Sequence, residues 1–156
     1  MYSEDGVTRR YRTWFYSILL VLVCIFIFRN SLQNSVESNA KSGWFSVYLK
    51  PILDPFSLIS ERNFHVLIRK LAHFTEFFVL GACLNRLSAN VQKWPGWVPV
   101  MTALAVASVD ETIQRFTGRT CSAVDVLLDV FGAVCGMLVA AAVVRLWRRI
   151  DGEVKP

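Results

Sequence analysis

The sequence is poor in charged residues and lacks the cysteine patterns of zinc or disulfide sites. Asp, Glu, Lys and Arg make up 19% of the chain, and apolar residues make up 54%. A soluble globular domain carries about 25% charged and about 45–50% apolar residues. Three of the four cysteines lie in apolar segments, where a thiol behaves as a small hydrophobic group, and no CxxC pair occurs. This composition excludes a disordered chain and a disulfide-stapled secreted module, and it indicates a membrane protein.

Motifs that would identify an enzyme or a nucleic-acid-binding protein are absent as well. The sequence contains no nucleophile elbow, P-loop or dinucleotide fingerprint, so it favours a non-catalytic protein and names no cofactor. The net charge of +5 comes largely from arginines beside the first and last apolar segments. Because this placement is typical of anchoring at an anionic membrane surface, we predict a lipid bilayer and no nucleic acid as partner.

Four apolar segments account for the excess of hydrophobic residues. They cover residues 14–28, 64–84, 97–116 and 124–146. The first is short for a hydrocarbon core of about 30 Å, so its flanking arginines are expected to reach the interface. It resembles a signal peptide but lacks a cleavage site of small residues, so we predict a retained span. We predict one domain over residues 1–156, all-α, folded as a four-transmembrane-helix bundle. A soluble helical bundle is the alternative, because no segment holds about 18 uninterrupted apolar residues.

The connection between the first two spans, residues 29–63, has two parts. A polar stretch with several Ser and Gln residues is followed by WFSVYLKPILDPFSLI. In the second part Trp44, Phe45, Tyr48, Leu49 and Ile52 share a helical face, and two prolines interrupt it. We predict an interfacial amphipathic segment that lies on the membrane or roofs the bundle end.

Polar residues within the spans collect at one end of the predicted bundle. If the helices are antiparallel, the start of span two, the end of span three and the start of span four lie at the same depth. Ionisable residues in a membrane are unfavourable by about 2.5 to 3.5 kcal/mol each at the helix centre, so they normally face the bundle interior and one another. The predicted ligand-binding residues are Arg69, Lys70, His73, Glu76, Asp110, Glu111, Gln114, Arg119, Asp125 and Asp129.

Four interpretations of this cluster stay open. It can be an ion-pair network that only holds the helices together. Arg69, Lys70 and Arg119 can instead bind a phosphate or carboxylate group. The carboxylates and His73 can hold a divalent cation, although HxxE alone is a weak pattern and we assign no metal ligand. Finally, His73 and Glu76 can serve as an acid–base pair.

Some residues of the same region also have simple structural explanations. Ser122-x-x-Asp125 fits a capping box at the start of span four. Glu111 can pair with Arg115, four residues further along the same helix. Gly132 and Gly136 lie on the face of Asp125 and Asp129, which predicts a close approach of another helix below the charges.

These motifs resemble the VanZ-like family of bacterial membrane proteins. The resemblance is carried by RKLAHFTEFFVLG (residues 69–81), DETIQRFTGR (110–119) and SAVDVLLDVFGAVCG (122–136). It implies that Lys70, His73, Glu76, Asp110, Glu111, Gln114, Arg119, Asp125, Asp129 and Gly132 occupy motif positions. The family is named for a protein associated with teicoplanin resistance, and the resemblance implies no established activity.

The sequence therefore predicts a multi-pass protein of the bacterial cytoplasmic membrane. The positive-inside rule favours cytoplasmic termini and an outward-facing polar cluster. We predict that this cluster binds an anionic lipid or a cell-wall precursor, with a family link to teicoplanin resistance. The alternatives are a membrane-embedded, metal-assisted enzyme acting on a phospho-lipid, and a structural or partner-binding protein.

Overall fold

The computed structural model describes residues 4–33, 43–44, 47–54, 56, 58–91, 94–119 and 122–153. Within these residues every regular element is helical, which confirms the prediction of an all-α fold. The elements are α1 (Glu4–Ser31), α2 (residues 47–53), α3 (Glu61–Asn90), α4 (Val98–Phe116) and α5 (Ala123–Glu153).

Two of the described helices are long and apolar enough to cross a membrane. The qualifying stretches are Val7–Ser31 in α1, with a mean hydropathy of 1.9, and Ala123–Ile150 in α5, with 2.4. Helix α1 is longer than the predicted first span of residues 14–28, because it continues through the N-terminal arginines. At 1.5 Å per residue the stretch Val7–Ser31 is about 37 Å long, more than the ~30 Å core of a bilayer. Among the described helices, α3 and α4 do not meet the same criterion, so four spans are not established.

Helix α3 is the centre of the bundle and contacts α1, α4 and α5, while α4 also contacts α1 and α5. The core between them is made by Ile27 of α1, Phe77, Leu80 and Leu84 of α3, Ala103 and Ala107 of α4, and Ala133 of α5. Large apolar side chains such as Phe15 and Leu22 of α1 and Leu138 and Trp147 of α5 point outward. An apolar outer surface is typical of a protein surrounded by lipid.

The contact between α3 and α5 is made backbone to backbone. A Cβ atom added at Gly136 would lie 1.9 Å from the carbonyl oxygen of Phe78, and one at Gly132 would lie 2.7 Å from that of Phe74. From the contact at Gly132 to the contact at Gly136, the residue number increases by four in each helix, so α3 and α5 run parallel. Gly81 approaches the carbonyl oxygen of Ala133 in the same way. The predicted close approach at Gly132 and Gly136 is confirmed.

The segment before α3 is only partly described, and the polar stretch from residue 34 to 42 and Phe45 lie outside the described residues. Leu49 is half-buried, but Trp44, Tyr48 and Ile52 are exposed, so the predicted apolar face is divided between the bundle and the surroundings. Pro51 lies within α2 rather than interrupting it.

Two contacts fix α2 at the start of α3. The Lys50 ammonium donates to Glu61. The buried Asp54 carboxylate accepts the backbone N–H groups of Leu58 and Ile59 at 2.8 and 2.9 Å. Both contacts lie at the end of α3 that carries the polar cluster.

A Gly136→Ala substitution tests the contact between α3 and α5. The added methyl group overlaps the Phe78 backbone, which cannot move aside as a flexible side chain can. We expect a loss of about 1–3 kcal/mol in the free energy of unfolding, measured as a lower melting temperature in detergent. Gly96→Ala is the matched control, because nothing lies within 4 Å of the added Cβ. Equal melting temperatures for both variants would contradict the packing described here.

Candidate functional site

The structure brings polar side chains from four helices together at one end of the bundle. They come from the last residues of α1, the first half of α3, the end of α4 with the turn after it, and the start of α5. Asp110 is 0% exposed, Asp129 2% and Arg119 7%, and Ser31, Glu111 and Gln114 are also buried. Burial of so many polar groups requires partners for each of them.

Asp110 is the most fully bonded residue of the cluster. Its carboxylate accepts the Ser31 hydroxyl at 2.5 Å and the Gln114 amide at 2.7 Å. Thr117 donates to the carbonyl oxygen of Ser31 at 3.2 Å. Next to these contacts, Asn30 donates to Glu76 at 2.7 Å. The end of α1 is thereby attached to both α3 and α4.

Sequence reasoning did not identify Asn30 and gave Ser31 no role beyond the polar stretch after span one. The available signal was their position, directly after an apolar helix and at the depth of the predicted cluster. Gly118 was found correctly as part of a turn with Thr117, and its φ of +74° suits glycine. This turn leads the chain to Arg119, whose backbone N–H donates to the carbonyl oxygen of Gln114 at 3.0 Å.

His73 is oriented by Arg119. The guanidinium Nη2 lies 3.1 Å from the imidazole Nε2. Because a guanidinium only donates, Nε2 accepts and the hydrogen of the neutral ring is on Nδ1. Nδ1 faces the carboxylate oxygens of Asp110 at 3.7 Å and Glu76 at 3.8 Å, both beyond hydrogen-bonding distance.

This tautomer bears on the metal interpretation. Ligand atoms of His73, Asp110 and Asp129 lie within 4.8 Å of one another, close enough to suggest a cation site. In the arrangement described, however, Nδ1 carries a hydrogen and Nε2 is occupied by Arg119. The imidazole therefore presents no free lone pair to a cation, and the residues do not favour a metal centre.

The Arg119 guanidinium has fewer partners than its burial would require. No carboxylate of the described residues lies within the 4.0 Å of an ion pair, and Nε has no hydrogen-bond partner among them. Burial lowers the pKa of Arg119, and the positive charge of Arg69 lowers it further. A guanidinium nonetheless keeps its proton in proteins. Arg119 therefore places a fixed positive charge among the carboxylates.

The start of α5 differs from the predicted capping box. Glu111 of α4 accepts the backbone N–H of Ser122 at 2.6 Å, the contact that a capping box would give to Asp125. The Ser122 hydroxyl accepts from Val124 at 3.2 Å. Asp125 is thus free to accept the Lys70 ammonium at 2.6 Å. The predicted Glu111–Arg115 pair is also replaced, and Arg115 is exposed.

A small cavity of about 20 Å³ lies between α3, α4 and α5. It is lined by Arg69, Lys70, His73, Gln114, Asp125, Leu128 and Asp129. In the described part of the chain, neither a hydrogen bond nor an ion pair reaches the Arg69 guanidinium or the Asp129 carboxylate. By contrast, Glu76, Asp110 and Glu111 each accept from a neutral donor. Among the described residues, one cation and one carboxylate at this cavity are therefore unpaired.

A comparison with known protein families identifies the family of this chain. A family model described as VanZ/LLP1 matches residues 13–146, which is most of the chain. The chain belongs to the VanZ/LLP1 family. The resemblance inferred from the motifs is thereby confirmed, and family membership together with the two apolar helices supports a membrane protein. Neither the curated proteins nor the solved structures contain a match.

Replacing Asp110 tests the importance of the buried network. Asp110→Ala leaves the Ser31 hydroxyl and the Gln114 amide without an acceptor, which is unfavourable by about 1–3 kcal/mol for a buried group. Asp125→Ala is the control, because its pair with Lys70 is partly exposed and contributes at most about 1 kcal/mol. We expect the Asp110 variant to melt well below the Asp125 variant in detergent. Similar melting temperatures would show that the network does not stabilise the bundle.

Proposed function

We propose that this VanZ/LLP1-family chain is a multi-pass protein of the bacterial cytoplasmic membrane that binds an anionic lipid headgroup or cell-wall precursor. The cluster between α3, α4 and α5 faces outward and both termini are cytoplasmic. Binding of such an envelope ligand would link the protein to glycopeptide susceptibility, including susceptibility to teicoplanin, the antibiotic associated with the protein for which the family is named.

The packing of α3 supports a multi-pass arrangement. Since α3 runs parallel to α5 with backbone contacts from Phe74 to Gly81, the two helices occupy the same depth. A bilayer crossed by α5 is then crossed by α3 as well, and α4 must return the chain between them. The polar side chains of Lys70, His73 and Glu76 contribute to the low hydropathy of α3. They contact α5, the turn after α4 and α1, respectively.

The observation that carries the ligand proposal is that Arg69 lines the cavity and has no hydrogen-bond or ion-pair partner among the described residues. A guanidinium binds phosphate or carboxylate oxygens through two parallel hydrogen bonds, and this geometry suits a headgroup better than an ammonium does. Lys70 lies beside it but is paired with Asp125. Arg119 is turned toward His73, so it contributes positive potential from inside the bundle rather than a direct contact. The metal-assisted enzyme has less support, because His73 offers no lone pair to a cation.

An Arg69→Gln variant tests the anion site. The purified protein in detergent is incubated with phosphatidylglycerol, and retained lipid is counted by native mass spectrometry. Loss of a charge-assisted contact is expected to weaken binding about tenfold or more. Arg115→Gln is the control, because Arg115 is an exposed arginine in the last turn of α4, at the same end of the bundle. This variant should retain lipid as the wild type does. Equal retention by both variants would remove Arg69 from the site, and no retention by the wild type would refute the proposal.

The proposed orientation is tested with reporter fusions. A fluorescent protein that matures only in the cytoplasm should fluoresce when fused to either terminus, because Arg9, Arg10 and Arg12 precede the apolar part of α1 and Arg145, Arg148 and Arg149 follow that of α5. Alkaline phosphatase, which is active only outside, should be inactive at both positions. Phosphatase activity at either terminus would contradict the proposed topology.

A further inference from the structure

We infer that the ligand is a zwitterion, whose anionic oxygens meet Arg69 at the cavity mouth while its ammonium group enters the cavity and donates to Asp129. This inference rests on the proposed function and names the class of ligand. Phosphoethanolamine, free or as a lipid headgroup, is a compound of this kind.

Asp129 supplies the first argument. Its side chain is 2% exposed, it lines the cavity, and within the described residues nothing donates to it. A buried carboxylate is strongly unfavourable unless it is paired and hydrogen-bonded. The nearby cations donate to other residues: Lys70 donates to Asp125, and Arg119 donates to His73. Among the described residues, the Asp129 carboxyl group at the cavity is therefore available to a donor from a ligand.

Gln114 adds a second acceptor at the same cavity. Its amide nitrogen donates to Asp110 at 2.7 Å, so the amide oxygen cannot also be directed at Asp110. No hydrogen bond to this oxygen is formed within the part of the chain that the structure describes. A group that carries several N–H donors can satisfy both this amide oxygen and the Asp129 carboxylate, as an ammonium with three donors does.

Cavity size determines which part of the ligand enters. About 20 Å³ is enough for one group of the size of a water molecule. A primary ammonium fits this space, whereas a phosphate or a trimethylammonium group does not. The phosphate consequently remains at the mouth, beside the Arg69 guanidinium, which has no hydrogen-bond or ion-pair partner among the described residues. Opposite charges on the ligand thus match opposite unpaired charges on the protein.

Three lipids with identical acyl chains test separately whether the ligand needs a phosphate group and whether it needs an ammonium group. Phosphatidylethanolamine has the phosphate and the ammonium, phosphatidylcholine has a nitrogen that cannot donate, and phosphatidylglycerol has no nitrogen. Retention by the purified full chain in detergent is measured by native mass spectrometry. We expect phosphatidylethanolamine to bind about tenfold or more tightly than phosphatidylcholine, since a hydrogen bond between charged groups is lost in the latter.

The Asp129→Asn variant links this preference to the cavity. The substitution keeps the shape of the side chain and removes its charge, so the preference for phosphatidylethanolamine over phosphatidylcholine should disappear while binding of phosphatidylglycerol persists. Glu61→Gln is the control, because Glu61 is an exposed carboxylate at the same end of α3, paired with Lys50. That variant should keep the wild-type preference.

The outcomes distinguish the two proposals. If phosphatidylglycerol is retained through Arg69 but phosphatidylethanolamine is not preferred over phosphatidylcholine, the zwitterion inference is wrong and the anion site stands. If no lipid is retained and free phosphoethanolamine does not raise the melting temperature, both fail. Stabilisation by free phosphoethanolamine without lipid retention would assign the same chemistry to a soluble or cell-wall source. Should Asp129→Asn not fold, the wild-type comparison of the two lipids decides alone.

Discussion

The backbone contact between α3 and α5 determines where every functional side chain lies. Because Gly81, Gly132 and Gly136 have no side chain, the two helices approach until carbonyl oxygens occupy the space of a Cβ atom. This contact sets both the rotation and the register of α5 against α3. It places Asp125 within reach of Lys70 and brings Asp129 to the cavity beside His73. A single turn of slip between the helices would separate these groups by about 5.4 Å.

A second level of organisation comes from hydrogen bonds that cross between helices. Ser31 and Asn30 reach Asp110 and Glu76 from α1, and Glu111 reaches the start of α5. Each contact gives a buried carboxylate a donor from a different helix, so the helix packing and the polar network depend on each other. In a medium of low dielectric such contacts are strong, and their loss leaves uncompensated polar groups. The network therefore holds α1, which has no contact with α5 in the described structure, in its place at the cluster.

The four apolar segments were enough to predict the four long helices, and an antiparallel arrangement of these helices predicted that their polar ends meet. Positions such as His73 and Glu76, or Gly132 and Gly136, share a face because of their spacing, and spacing can be read directly. The partners within the cluster could not be read in this way. Periodicity does not show that the turn at Gly118 returns Arg119 to His73, or that Glu111 replaces Asp125 as the cap of α5. Nor did the apolar segment 14–28 reveal that α1 continues through polar residues to Glu4, because helix length was inferred from hydrophobicity alone.

The balance of charge explains why the cluster can be more than a link between helices. Three buried carboxylates, those of Asp110, Glu111 and Asp129, and the partly buried carboxylate of Glu76 share the cluster with one buried guanidinium. Neutral donors stabilise three of these carboxylates but do not neutralise their charge. An ion-pair network that served only stability would place Arg119 against a carboxylate and leave none without a donor. Here Arg119 is directed to His73. Among the described residues, Asp129 has no donor and Arg69, which lines the same cavity, has no hydrogen-bond or ion-pair partner. This separation of unpaired charges favours a ligand that carries both signs.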